Sequence, residues 1–262
     1  MIYTRLDSMD KINNFNINDC YFVMDFDGTI TYNSNTLFSL FSKSGYYPES
    51  YLKERNDNYN HYRPLELDPN ITLEEKEKIV KEWQTKTYQL LLKYKVKESD
   101  IKKIIDRNML NLRDDAIEFI KLLKEKNVPI IISSAGISNF IVELLKKYEC
   151  YDDNVFVFAN NLEFKEDKII DTIDTIIHSM NKSDMLISKD YLDIIKNKTY
   201  AILVGDQLSD LKMTKNLPFK KEISFGFLDN NIDGQREFFK DSYDVTLENG
   251  KSFDEIKKIL KI

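Results

Sequence analysis

The chain has 262 residues, enough for a large core and one or two domains, and 42% of them are apolar, as in a globular protein that folds in water. The formal net charge is −6, with lysines and arginines scattered among acids, which argues against a nucleic-acid polymer as the main partner. No apolar run approaches the ~18 residues of a membrane span. The first twenty residues are broken by Arg5, Asp7, Asp10, Lys11 and Asp19 and hold no apolar signal core, so the expectation is a cytoplasmic protein free of the membrane.

In chain order, the first clear element is Tyr21 to Met24, a short apolar run that reads as a buried strand. It stops at Asp25-Phe26-Asp27-Gly28-Thr29. Strand side chains alternate faces, so Asp25 and Asp27 would share a face if strand geometry persisted. After Thr31 the pattern turns helical. Ser34 can cap a segment carrying Leu37, Phe38, Leu40 and Phe41. A polar, aromatic-rich stretch runs through Tyr59, His61 and Tyr62 to Leu65-Glu66-Leu67-Asp68-Pro69. Thr72-Leu73-Glu74-Glu75 is a capping box, and the helix it opens places Ile79, Trp83 and Thr87 on one stripe. Ile101, Ile104, Ile105 and Met109 mark a further helix, and another runs from Asp114 to Lys126.

From residue 128 strands and helices alternate. Val128 to Ile132 is an apolar strand ending in Ser133-Ser134-Ala135-Gly136, followed by a helix with Phe140, Ile141, Leu144 and Leu145. Asn154 to Phe158, Tyr200 to Val204, Lys221 to Phe225 and Tyr243 to Leu247 are further strand candidates. Asn181-Lys182-Ser183-Asp184 opens a predicted helix with Met185, Leu186 and Ile187. Lys251 to Lys261 reads as an amphipathic terminal helix. Such alternation predicts an α/β fold: a doubly wound, mostly parallel sheet with an all-helical cap inserted after its first strand. The expected boundaries are 1–32 and 113–262 for the core and 33–112 for the cap. Ligands in such sheets sit beyond the carboxyl ends of the strands, where Asp25, Ser134 and Asp206 would converge.

Two carboxylates at a strand end repel each other unless a cation lies between them. A carboxylate set of Asp25, Asp27 and Asp206 suits Mg2+, which keeps waters and binds substrate phosphate. Asp25 can then attack phosphorus, and Asp27 can protonate the leaving oxygen and later deprotonate the attacking water. Ser134 with the amides of Ala135 and Gly136 can hold phosphate oxygens, and Lys182 can offset the clustered negative charge. Asp210 reads as a group that orients the ligands. Cys20 and Cys150 have no zinc or redox spacing and read as reduced packing residues. Trp83 and Tyr88 read as packing residues of the helical block, His61 as a surface residue and His178 as a packing or hydrogen-bonding one.

Asp25-Phe26-Asp27-Gly28-Thr29, Ile132-Ser133-Ser134, Lys182 and Gly205-Asp206-Gln207-Leu208-Ser209-Asp210, in that order, resemble the haloacid dehalogenase (HAD) superfamily of phosphotransferases. A closer resemblance covers nearly the whole chain: the cytosolic pyrimidine 5'-nucleotidase family, also called 5'-nucleotidase III or UMPH-1. It is carried by Leu65-Glu66-Leu67-Asp68-Pro69, Thr72 to Lys76, Glu82-Trp83 with Lys86, and Leu112-Arg113. It continues through Ser134-Ala135-Gly136-Ile137, His178 with Asn181-Lys182 and Asp184, Gly205-Asp206 with Asp210-Leu211, and Asp241 to Asp244. The resemblance implies that Glu66 and Thr87 hold the nucleotide from the cap, and that Ser134, Ala135 and Lys182 contact its phosphate. Gly28 departs from animal members, which resemble this chain but carry methionine there, and Thr87 replaces a serine.

The expectation is a monomeric, magnesium-dependent hydrolase of nucleoside 5'-monophosphates. Glu66 as an acceptor favours the amine of cytosine, so CMP is expected before UMP, and purine nucleotides after both. A phosphatase for another small metabolite and a catalytically silent HAD-like binding module stay open as alternatives. The complete set of Asp25, Asp27, Lys182 and Asp206 weighs against the second.

Overall fold

The alternation expected from residue 128 onward is present in the computed structural model, which describes residues 1–32, 36–68, 70–170, 176–178, 180–182, 187–230 and 232–262. From the amino terminus, β1 (Ile2–Thr4) and α1 (Met9–Asn13) precede β2 (Cys20–Met24). Helices α2 (Leu37–Lys43), α3 (Glu49–Leu67), α4 (Leu73–Lys93) and α5 (Glu98–Asp106) follow, then α6 (Ala116–Glu125). Next come β3 (Ile130–Ile137), α7 (Ser138–Lys147), β4 (Val155–Asn160), and a hairpin of β5 (Glu163–Lys165) with β6 (Lys168–Ile170). The remainder is α8 (Lys189–Ile195), β7 (Tyr200–Gly205), β8 (Lys221–Leu228), α9 (Ile232–Ser242), β9 (Val245–Glu248) and α10 (Asp254–Leu260).

Among the described residues the main sheet has seven strands in the order β1-β9-β8-β7-β2-β3-β4. Only β1 runs antiparallel to its neighbour, at the edge. The sheet is wound outward in both directions from β2, which makes the carboxyl end of β2 a topological switch point. The apolar run Cys20 to Met24 is fully buried, because helices cover both faces of the sheet. Phe22 and Met24 pack into one hydrophobic cluster with α6, α7 and α10, whereas Tyr21 and Val23 pack into the other with α8 and α9. The register sets Met24 beside Ile132 on one side and Val204 on the other. Asp25 therefore leaves the sheet at the level of Ser133 and Gly205 in the neighbouring strands.

Helices α2 to α5 stand between β2 and β3. Their buried residues Leu37, Leu40, Tyr88, Leu91, Ile101 and Ile104 extend the first cluster rather than forming one of their own. The chain leaves and re-enters the sheet through a paired stem. Thr31 bridges Leu112, Tyr32 N–H donates to Asn111 O at 2.7 Å, and Arg113 N–H donates to Ile30 O at 2.9 Å.

Several local expectations change. The stretch around Tyr59 and Tyr62 is the 19-residue helix α3, with Pro64 inside it. Thr36 stands at the start of α2, while the expected cap Ser34 lies outside the described residues, as do Pro69, Ser183, Asp184, Met185 and Leu186. Ile187 is not helical; α8 begins at Lys189, capped by Ser188, whose hydroxyl accepts from Tyr191 N–H at 3.3 Å. The buried stripe of α4 is Val80, Tyr88 and Leu91, with Ile79, Trp83 and Thr87 half-buried at its side. The capping box of Thr72 and Glu75 is formed.

Candidate active site

Strand geometry ends at Met24. Asp25 keeps an extended backbone, with its N–H donating to Val204 O at 2.9 Å, and the chain then enters a wide helical turn, Phe26–Ile30. Gly28 closes that turn with φ at +89°, a conformation that a side chain disfavours. A Cβ on Gly28 would lie 2.2 Å from Asp206 Oδ2, so the missing side chain is the space that the Asp206 carboxylate occupies.

The ends of β2 and β7 bring three carboxylates together. One oxygen each from Asp25, Asp206 and Asp210 lies within 4.8 Å of the others. Lys182 reaches them from the segment before α8. Its Nζ donates to Asp210 Oδ1 at 2.9 Å and to Asp25 Oδ1 more closely still. The lysine is 6% exposed. Asp210 sits on the short turn Leu208–Lys212, and its other oxygen accepts from the amides of Asp206 (3.1 Å) and Gln207 (3.0 Å). Both of its oxygens are thus engaged in holding Lys182 and the Asp206 backbone.

Burial pushes the Asp25 carboxyl up to about 6, against the pull of Lys182. Burial and then the charge of Asp25 raise Asp27 to about 7. Burial, Asp25 and Asp210 hold Asp206 well above the ordinary carboxylate range. Burial works against the Lys182 ammonium too, yet Asp210 and Asp25 outweigh it and hold its pKa high. One lysine therefore faces an excess of carboxylates. Asp206 Oδ1 and Asp27 Oδ1 are buried and find no hydrogen-bond partner among the described residues. Unpartnered carboxylate oxygens in an over-negative cluster are hard donors of the kind that magnesium takes, so the residues present fit that ion. The clustered group contains Asp25, Asp206 and Asp210; the Asp27 side chain lies outside it, its Oδ2 accepting from Leu37 N–H at 3.4 Å.

Ser134 and Ala135 lie inside β3, not after it. The register of β3 against β4 shifts between Ser133 and Ile137, and α7 starts directly at Ser138. Ser134 Oγ accepts from Gly136 N–H at 3.0 Å, while the buried Ser133 hydroxyl has no partner among the described residues. Glu66 is in the last turn of α3 and pairs with Arg63. Thr87 returns its hydroxyl to Trp83 O at 2.9 Å. No hydrogen bond among the described residues joins Glu66 or Thr87 to the Asp25–Lys182 cluster. Trp83 stacks on Tyr62, centroids 6.1 Å apart and planes at 13°, within the α3–α4 contact.

Two residues beside the site carried no assigned role in the sequence reading. Arg113 is buried at the foot of the stem. It donates to Thr29 O at 2.9 Å, to Asp229 Oδ2 at 2.8 Å, and to the carbonyls of Gly28 and Gly250, so it grips the outer side of the Phe26–Ile30 turn. Gln84 donates from α4 to Ala135 O at 2.8 Å. Its signal in the sequence is a polar residue in line with Val80 and Tyr88, since an amide turned away from water needs a partner.

The two-faced parallel sheet and the carboxylate–lysine cluster at its switch point define a HAD-like hydrolase. A substrate-bound phosphoserine phosphatase shares that fold, with a TM-score of 0.56 at 20% identity over 91% of this chain and 96% of the other. The family model for pyrimidine 5'-nucleotidase (UMPH-1) matches residues 26–262, and the chain belongs to that family of 5'-nucleotidases. The 7-methylguanosine phosphate-specific 5'-nucleotidase of Gallus gallus is 31% identical over 248 residues, 91% of this chain and 86% of the relative. The Homo sapiens protein of the same name is 30% identical over the same share of this chain and 83% of its own. The crystal structure of cytosolic 5'-nucleotidase IIIB bound to cytidine superimposes with a TM-score of 0.87, at 25% identity, over 99% of this chain and 92% of that one.

Proposed function

We propose that this 5'-nucleotidase is a magnesium-dependent cytoplasmic enzyme that hydrolyses pyrimidine nucleoside 5'-monophosphates through an aspartyl-phosphate on Asp25. The observation that carries the reading is the buried contact of Lys182 with both Asp25 and Asp210, beside the unpartnered oxygen of Asp206. Asp25 and Asp206 are the side chains that would hold the ion, with Asp210 fixing Lys182 and the Asp206 backbone. Bound there, magnesium would offset charge and orient the phosphate.

Asp25 attacks phosphorus, and the bond from phosphorus to the nucleoside 5'-oxygen breaks. Asp27 gives its proton to that leaving oxygen. A pKa raised to about 7 keeps a fraction of Asp27 protonated at neutral pH, as a general acid requires. Asp27, now ionised, takes a proton from water. The resulting hydroxide attacks phosphorus, the bond to Asp25 breaks, and phosphate leaves. Ser134, the Ala135 amide and Lys182 hold the phosphate oxygens. Helices α2 to α5 act as a cap that excludes bulk water and reads the nucleoside.

Glu66 and Thr87 are the groups assigned to the base. The Glu66 side chain, which pairs with Arg63, offers acceptor oxygens, and these suit the cytosine amine better than the uracil carbonyl. A second reading is 7-methylguanosine 5'-monophosphate, the substrate in the names of the relatives. A positively charged methylated base would stack on the half-buried indole of Trp83, and its amine would also meet Glu66. The test is kcat/KM for CMP, UMP, AMP, GMP and 7-methyl-GMP, in the parent and in Glu66→Ala. CMP before UMP before purines is expected, with that order flattened in the variant. A leading rate for 7-methyl-GMP selects the second reading, and an unchanged order in Glu66→Ala removes that residue from base recognition.

A further inference from the structure

Ala135 precedes Gly136 on the strand end that bears Ser134, and Ile177 stands on the segment leading to Lys182. Their carbonyl oxygens are held together by two side-chain amides from different parts of the molecule. Asn160, the buried last residue of β4, donates to Ala135 O at 2.9 Å, Gly136 O at 3.2 Å and Ile177 O at 2.8 Å. Its own oxygen accepts from Ile177 N–H at 2.8 Å. Gln84, from α4, donates to the same Ala135 O at 2.8 Å and approaches Ile177 O at 3.4 Å. Beyond Ile177, His178 N–H donates to Asn181 Oδ1 at 2.7 Å and Asn181 Nδ2 to Ile176 O at 2.9 Å, which closes the segment up to Lys182.

The two amides are not equivalent. Asn160 belongs to the sheet and binds both strand-end segments by four hydrogen bonds, so it sets their spacing whether or not α4 is docked. Gln84 adds nothing that Asn160 does not already hold, except the attachment of α4 itself. Trp83 precedes Gln84 on that helix and Thr87 lies one turn further on.

We propose that Gln84 is a positioning residue that latches α4 onto the phosphate-holding strand end, so that nucleoside recognition from the inserted helices is tied to phosphate held by the core. The proposal rests on the reading that α4 faces the nucleoside. The latch needs a donor. Glutamate has the same shape as glutamine but, ionised, only accepts, and it would set a negative charge against two carbonyl oxygens.

Gln84→Glu, Gln84→Ala and Asn160→Ala are compared with the parent in three measurements. These are KM and kcat for the best nucleotide, kcat/KM for para-nitrophenyl phosphate, and inhibition by inorganic phosphate. Loss of one neutral hydrogen bond corresponds to roughly a 2- to 10-fold effect. Both Gln84 variants should raise the nucleotide KM by about that factor, with Gln84→Glu at its upper end. Para-nitrophenyl phosphate turnover and the phosphate inhibition constant should stay within about twofold, less than one such bond. Asn160→Ala should impair all three. Parallel losses for nucleotide and para-nitrophenyl phosphate in Gln84→Glu would overturn the latch, because the amide would then be supporting the phosphate site itself. Hydrogen exchange of α4 amides tests the docking without any substrate. Faster exchange around residues 80–90 in Gln84→Glu supports the latch, and unchanged exchange overturns it. A parent enzyme that hydrolyses para-nitrophenyl phosphate but no nucleotide defeats the nucleotide reading, and the exchange measurement still decides the latch.

Discussion

Replacing Lys182 by methionine keeps the length of the side chain and removes its charge from beside the buried carboxylates of Asp25 and Asp210 and the half-buried Asp206. Lys182, Asp25 and Asp210 have side chains that are 7%, 4% and 1% exposed, so water cannot take over the role of the ammonium. Breaking a buried ion pair by deleting one partner costs about 3–5 kcal/mol, since the remaining charge is left uncompensated. At roughly 2–4 °C per kcal/mol for a chain of this size, the melting temperature should fall by about 6–20 °C. Magnesium should return part of that loss, because it binds the folded state alone; at 100 times its dissociation constant the gain is about 2.7 kcal/mol. The chemical step loses an electrostatic contact in a dry site, which corresponds to roughly 10²- to 10³-fold in kcat. Thermal denaturation with and without magnesium, and kcat on the best nucleotide, measure the two effects on one protein. A loss of activity below about tenfold, smaller than any such contact gives, would refute the assignment of Lys182 as the charge-balancing group. A melting point that magnesium fails to raise in the variant would refute the carboxylate cluster as its site.

Asp25→Asn keeps the shape of the nucleophile and should abolish both turnover and trapping of a phosphoenzyme; substantial activity in a folded, unreverted variant would sink the covalent mechanism. Asp206→Ala should raise the magnesium requirement or abolish activity, and chelation should silence the parent; activity that survives chelator contradicts the metal assignment. Cys20 tests burial by its thiol, which burial pushes up to about 12. A raised thiol pKa means that the native side chain stays neutral well past the unfolded value. Its stabilising contribution is therefore complete below the ordinary thiol value and falls away as pH rises from there through the folded value. Alkylation at pH 8 should be slow in the native protein and fast in denaturant, and rapid native alkylation would contradict the packing.

The strands could be read from the sequence because a parallel sheet covered on both faces turns them into continuous apolar runs, as Cys20 to Met24 and Tyr200 to Val204 illustrate. The helix α3 was not legible in the same way. It buries only Tyr51 and Tyr62 among its 19 residues, so no apolar stripe announces it, and Pro64 speaks against it. The edge strand β1 is three residues long and has no alternation to detect. In the site, Asp25 and Asp206 could be named because each follows an apolar strand run, Lys182 because clustered carboxylates call for a cation, and Asp210 because it stands four residues beyond Asp206. What brings them together, the register of β2 against β3 and β7, is a long-range property. Arg113 and Gln84 act through backbone carbonyls, and carbonyls leave no trace in residue identity. The stripe of Ile79, Trp83 and Thr87 on α4 is half-buried and lies beside the buried row of Val80, Tyr88 and Leu91.

The stem of Thr31 and Leu112 has a consequence for how such an enzyme can diverge. Because the chain departs and returns through neighbouring, hydrogen-bonded residues, the sheet meets the same two ends whatever lies between them. Helices beyond that junction can be exchanged without altering the strand order, provided that Leu37, Leu40, Leu91, Ile101 and Ile104 keep apolar counterparts in the core they share with the sheet. The hydrolytic apparatus is in this sense inherited as a fixed part, and a change of leaving group needs a new insertion rather than a new enzyme. Arg113, clamped at the junction, is the residue at which a graft of that kind would succeed or fail.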